Sequence, residues 1–202
     1  MSSKDWTGDY NSIYRAIGAS NHSDYERQTH DYYATEPKAA ELLLQEEMFS
    51  SIIWECACGQ GHLSEVFKKA GYSVLSTDLI YRGYGKPEPV NFLDTRKESF
   101  FDGDIITNPP YKYALEFCKQ ALYVVKPGHK VAMFLKLTFL EGKGRKEFFI
   151  TNPPKTVYVS SSRLNCARNG DFEQFQYNSA IAYAWFVWYK GYQGDTVIKW
   201  IN

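Results

Sequence analysis

The sequence predicts an α/β protein built on a single doubly wound, mostly parallel sheet of seven strands with helices on both faces. Three observations predict it. Short β-branched or aromatic runs alternate with amphipathic runs, the pattern of strands joined by crossover helices. A glycine-bearing turn, Gly59-Gln60-Gly61, follows a β-rich run and opens a helical stretch. A later apolar run leads straight into Asn108-Pro109-Pro110-Tyr111, so polar and aromatic groups sit at a strand's carboxyl end, where open α/β sheets bind ligands.

The elements follow in order. Residues 1–30 are polar and unpatterned and are expected to form a flexible arm. Glu36–Met48 reads as a helix, with Thr35 as its cap, Pro37 in its first turn and Ala39, Leu42, Leu43 and Leu44 on its apolar face. Ser51–Cys56 is a strand, His62–Ala70 a helix and Tyr72–Thr77 a second strand that ends at Asp78. Val90–Leu93 is expected as a short third strand and Asp104–Thr107 as a fourth. Ala114–Val125 is a helix stopped by Pro127-Gly128. Lys130–Leu135 is a fifth strand, and Gly142–Ile150 a charged stretch with a helical end. Thr156–Ser160 and Ile181–Tyr189 complete the strands; the second is too short and aromatic to be a membrane span.

Composition narrows the classes. The chain has 202 residues, 44% hydrophobic and 17% aromatic, enough to bury one sizeable core. One catalytic-type domain over 31–202 is expected, with no separate target-recognition domain. Lys+Arg and Asp+Glu both number 23, which argues against tight, purely electrostatic binding to nucleic acid. Cys56, Cys58, Cys118 and Cys166 form no Cys-x-x-Cys pair and fit no zinc spacing with His62 or His129. No metal, no membrane, reduced thiols and a cytoplasmic location are the expectations.

The chemistry concentrates in two places. At the first strand-to-helix turn, glycines let a ligand approach the backbone. Glu55 places a carboxylate beside that turn, and Asp78, at the end of the next strand, suits a ribose diol. The third glycine of a dinucleotide fingerprint is missing, because Ser64 takes its place. At the other place, Asn108 offers a carbonyl acceptor, the prolines fix the backbone and Tyr111 offers a flat π face. That set suits a planar molecule bearing an amino group. A second run, Asn152-Pro153-Pro154, is followed by Lys155 rather than an aromatic residue and reads as a plain turn.

Taken together, these motifs resemble the class I S-adenosylmethionine-dependent methyltransferases, a Rossmann-like family, in the amino-methylating group that carries Asn-Pro-Pro-Tyr. The resemblance covers most of 35–189. Phe134–Gly142, Arg145 and Tyr183–Gly191 are similar to segments of small phage and prophage adenine-N6 DNA methyltransferases, which implies a bacterial or phage-infected host cell. The resemblance implies S-adenosylmethionine as cofactor, held by Thr35, Glu55, Cys58, Gly59, Gly61, Asp78, Leu79, Asp94 and Asn108, with Asp94 toward the adenine amine. Tyr33-Ala34-Thr35-Glu36-Pro37 resembles the family's Tyr-x-Thr-Pro motif but has Glu36 inserted.

The catalytic set would be Asn108, Pro109, Pro110 and Tyr111. The Asn108 oxygen and the Pro109 carbonyl would accept from the target amine, and Tyr111 would stack on a base flipped out of DNA. DNA contacts would fall to Lys136, Lys143, Arg145, Arg163 and Arg168, unless these are solvated charged loops, and Phe139 is either a second wall or a core aromatic. DNA is the expected partner and a monomer the expected state. The motif fixes an sp² amine better than it fixes adenine, so rRNA or a protein glutamine stays open as acceptor, as does a catalytically silent binding module.

Overall fold

A computed structural model describes residues 32–96, 100–164, 166–168 and 181–202. The arm expected over 1–30 lies outside them.

The first described strand, β1 (Tyr33–Thr35), leads into α1 (Pro37–Glu46). Pro37 starts that helix with its φ already suited. The cap position is Glu36, with no side-chain cap bond, and Thr35 belongs to β1. The expected Thr35 cap is thus displaced by one residue, because the Thr35 backbone is already committed to pairing with a strand. Then come β2 (Ile52–Glu55), α2 (His62–Lys69) and β3 (Ser73–Ser76). The strand expected at Val90–Leu93 is a 3-10 turn over Phe92–Asp94, started by the Asn91 side chain accepting from the Leu93 N–H at 3.2 Å. An Asn-led local bond competes with strand pairing here and wins.

The chain continues through β4 (Asp104–Thr107), α3 (Ala114–Val124), β5 (Lys130–Lys136), α4 (Lys143–Thr151) and β6 (Thr156–Ser160). It ends with β7 (Cys166–Arg168), β8 (Tyr183–Tyr189) and β9 (Val197–Ile201).

The main sheet has seven strands in the order β3-β2-β4-β5-β8-β6-β9. Only β8 runs against the others. It lies between β5 and β6 with six of its seven residues buried, which accounts for the unbroken apolar run Tyr183–Trp188. Helices α1 and α2 pack on one face of the sheet, and α3 and α4 on the other. The seventh strand is β9, unforeseen in the sequence, and it fills the count left by the missing strand near Val90.

The topology positions the site. From β2 the chain winds to β3 on one side, then crosses to β4 on the other. The order reverses between β2 and β4, and ligands of open α/β sheets bind outside the carboxyl ends at such a point. Those ends are Glu55-Cys56 and Thr107-Asn108. The opposite end is tied down by buried Asp104, whose carboxylate accepts from the Ser50 and Lys130 backbone N–H groups at 2.6 and 2.7 Å. This anchor keeps β4 and β5 in register, so Asn108 and Lys136 leave the sheet at fixed places.

The second sheet is a ribbon of β1 and β7, antiparallel, with Thr35 opposite Cys166. It was invisible in the sequence because each strand is only three residues long and its partner lies more than a hundred residues away.

Candidate active site

Two half-sites meet at the reversal point. The first surrounds the glycine turn. Gly59 and Gly61 have φ of 53° and 85°, left-handed values that only glycine takes without strain. Both are also crowded. A Cβ on Gly59 would lie 2.3 Å from Tyr32, and one on Gly61 would lie 2.5 Å from the Tyr84 ring. The glycines therefore admit two aromatic rings of this chain as well as a close backbone turn.

Asp78 closes the first half-site. Its Oδ2 accepts from the Gly59 N–H at 2.8 Å. Its Oδ1 accepts from the Ile80 N–H at 2.9 Å and from the Arg82 guanidinium at 3.3 Å. Arg82 also lies 4.5 Å from the Tyr32 ring centroid, a cation–π distance. The Tyr32 hydroxyl accepts from the Gln60 N–H at 3.2 Å. Leu79, next to Asp78, is 56% exposed. Asp94 is exposed and accepts from the Asn91 amide at 2.7 Å.

Glu55 and Cys58 point elsewhere. Glu55 is 2% exposed, and the Ser64 hydroxyl donates to its Oε2. Ser64 and Ser76 share a further bond at 2.6 Å. Burial pushes the Glu55 carboxyl up to about 8, against the opposing Ser64 hydrogen bond. It therefore ties β2, α2 and β3 together rather than presenting an open carboxylate. Cys58 is buried, and burial pushes its thiol up to about 12, so it contributes shape and not a nucleophile.

The second half-site begins where β4 ends. Asn108 donates through Nδ2 to the Tyr33 carbonyl of β1 at 3.0 Å, while its Oδ1 is buried with no partner. Among the described residues, Thr107 Oγ1 and Thr35 Oγ1 are also buried without hydrogen-bond partners. Three orphaned oxygens in residues joined through the β1–Asn108 bond are unusual, because buried polar atoms are nearly always paired.

Pro109 is buried. Pro110 precedes a 3-10 turn, Tyr111–Tyr113, whose Tyr113 N–H donates to the Pro110 carbonyl at 2.9 Å. The Tyr111 ring is not an open platform in this conformation. It lies 5.8 Å from the Tyr33 ring and 5.9 Å from that of Tyr183, and the Lys136 ammonium sits 4.7 Å from its centroid. Its hydroxyl donates to Cys166 at 3.2 Å. Burial raises the phenol well above its ordinary value.

The residues expected to meet nucleic acid divide. Phe139 is 7% exposed and packs edge-on against Phe149 and Phe186, so it belongs to the core and not to a second wall. Arg145 is spent on the chain: its guanidinium donates to the carbonyls of Phe139 at 2.8 Å, Thr138 at 3.2 Å and Glu141. Those bonds brace the turn after β5 and commit Nε and Nη2, leaving Nη1 to meet a phosphate. Lys143 and Arg163 are exposed. Arg168 is placed by its backbone in β7, and its side chain lies outside the description. Asn152-Pro153-Pro154 is a turn, with the Asn152 carbonyl accepting from Trp188 at 2.9 Å.

A groove of about 520 Å³ runs between α1 and α2 and touches the glycine turn through Gln60 and Gly61. It is separate from Asn108. The Asn108 edge instead carries Tyr33 on Asn108 and Lys136 on the Tyr111 ring, and the glycine turn carries Tyr32 and Arg82, so cavity shape alone does not mark it. Reasoning from sequence also missed the covering residues Tyr32, Arg82 and Tyr84. Their signal was the glycines, which implied a close neighbour without saying which. Among the described residues no group could hold a metal ion, and no helix is long and apolar enough to cross a membrane.

No family model and no curated protein matches the chain. Solved structures match its fold. A Listeria monocytogenes protein described as a class I S-adenosylmethionine-dependent methyltransferase superposes with a TM-score of 0.57 at 11% identity, over 94% of this chain and 71% of that one. A Lactococcus lactis protein described as a hemolysin gives 0.56 at 11%, over 81% and 91%. A structure of a type I restriction–modification system gives 0.52 at 14%, over 96% of this chain and 48% of that one. The fold is that of the class I methyltransferases.

Proposed function

We propose that this chain is an S-adenosylmethionine-dependent methyltransferase acting on the exocyclic N6 amine of adenine in DNA. The observation that carries the reading is the Asn108 carboxamide. It stands at the carboxyl end of β4, at the reversal of strand order, with its nitrogen fixed on Tyr33 and its oxygen unpaired.

The donor set fits the cofactor. A carboxylate offers about four lone-pair sites, and Asp78 uses three of them, one on Arg82. With Arg82 turned away, Asp78 could hold a ribose diol and Leu79 could pack on the adenine. Asp94 is exposed and could accept from the adenine amine. When bound, S-adenosylmethionine supplies an electrophilic methyl carbon.

The chain's own residues treat the acceptor. An aniline-like amine is a weak nucleophile because its lone pair is shared with the ring. Asn108 Oδ1 and the Pro109 carbonyl would each accept one of its hydrogens. Two acceptors favour a pyramidal nitrogen, turn its lone pair toward the donor side and stabilise the positive charge that grows there. Holding both partners in line supplies much of the remaining acceleration. Tyr111 would stack on an extruded base, a contact worth about 1–3 kcal/mol against an extrusion cost of a few. That use requires Lys136 or Tyr33 to leave the ring.

The sharing of this fold with restriction–modification proteins is compatible with a DNA substrate, but the tetrapeptide chooses the amine. The test is incubation with methyl-labelled cofactor and separate DNA, RNA and protein pools, followed by nucleoside analysis. Label in N6-methyl-2′-deoxyadenosine from DNA is the expected result. Label confined to RNA or to protein glutamine would move the acceptor, and no label in any pool would refute methyl transfer.

A further inference from the structure

The half-sites are covered by consecutive residues of one extended segment. Tyr32 packs its ring on Gly59, bonds to Gln60 and carries Arg82 on its other side. Tyr33 gives its carbonyl to Asn108 Nδ2 and its ring to Tyr111. Adjacent side chains of an extended strand point opposite ways, so one dipeptide caps both ends of the site. Among the described residues its backbone pairing is the three-residue β1–β7 ribbon, with Ala34 and Thr35 buried and Tyr33 packed on the core.

We infer that the Tyr32-Tyr33 dipeptide couples the half-sites: filling the donor half-site displaces Tyr32 and Arg82 and, through the same strand, frees Asn108 and Tyr111 for the amine. The inference rests on the reading of the glycine turn and Asp78 as the donor site. Arg82 acts as a stand-in that satisfies Asp78 until the ribose hydroxyls replace it. The orphaned oxygens of Thr35 and Asn108 fit this arrangement, since both lie on the strap or at its attachment. Donor and amine would bind in that order. The apparent donor affinity is lowered by the fraction of molecules in which the strap is closed.

The test uses the full chain and S-adenosylhomocysteine as the probe, with calorimetry for affinity and amide hydrogen exchange over 33–35 and 166–168 for the ribbon. In the unaltered chain the probe should accelerate exchange of the ribbon amides about fivefold or more. Tyr32→Ala should bind the probe about three- to tenfold more tightly and exchange quickly with or without it. Arg82→Ala, a change in a loop that leaves the core intact, should also tighten binding. Weaker binding in Arg82→Ala, or ribbon exchange that the probe leaves unchanged or slows, overturns the coupling while leaving the donor site standing. No binding of the probe by the unaltered chain overturns both, so the two failures are separable.

Discussion

The two half-sites are satisfied to different degrees. Around the glycine turn every carboxylate has protein donors: Asp78 has Gly59, Ile80 and Arg82, and Glu55 has Ser64. Around Asn108, three buried oxygens have none. An unpaired buried acceptor costs roughly 1–3 kcal/mol, so the Asn108 end gives up stability that the Asp78 end retains. Groups that must switch partners can be paired in the resting fold. On the proposed function, groups that accept from a substrate would be paired only when it arrives.

The largest expected effect on cofactor binding separates these ends by substitution at the satisfied one. Asp78→Ala strands the Gly59 N–H and Arg82. It should lower unfolding stability by about 2–3 kcal/mol and weaken S-adenosylmethionine binding about a hundredfold, the value of two hydrogen bonds to a charged group. Denaturant unfolding and calorimetry check both. If stability is unchanged, the donor end is not the stabilised half.

The next concerns pH. The folded-state value for Glu55, about 8, lies above its ordinary 4.5. Between those values the folded chain keeps a proton that the unfolded chain has released. Stability is therefore greatest below about 4.5 with respect to this group and declines as pH rises toward 8, by up to a few kcal/mol in all. Glu55→Gln should flatten that part of the profile in thermal melts across the window. A profile indifferent to the substitution would mean the carboxyl is charged in the fold.

The smallest effect sharpens the nucleic-acid face. Arg145→Ala should cost about 1–2 kcal/mol of stability by freeing three carbonyls and leave the salt slope of DNA binding unchanged. Lys143→Ala should leave stability alone and reduce that slope by about 0.9. The opposite pattern would return Arg145 to phosphate and remove Lys143.

Much of this was legible in the sequence for local reasons. Asp104–Thr107 and Thr156–Ser160 appear as strands at the boundaries read from their composition, because β-branched runs ended by turn residues leave few alternatives. The placement of Asn108 followed directly from that. The ribbon and β9 were not legible. Tyr33–Thr35 and Cys166–Arg168 are too short to show a period, and β9 is four-fifths exposed, so burial did not pattern it. The roles of Phe139 and Arg145 were not legible, because a charged, aromatic stretch looks the same whether it faces phosphate or braces a turn. Only the carbonyls around Arg145 decide that.

The account depends most on Asn108 as an acceptor for the target amine, and kinetics of Asn108→Ala test it most directly. The substitution removes one hydrogen bond and one unpaired oxygen, so stability should stay within about 1 kcal/mol of the original. With cofactor affinity retained, methyl transfer to DNA should fall about a hundred- to thousandfold. Transfer at the original rate in a folded, cofactor-binding Asn108→Ala protein would contradict the account.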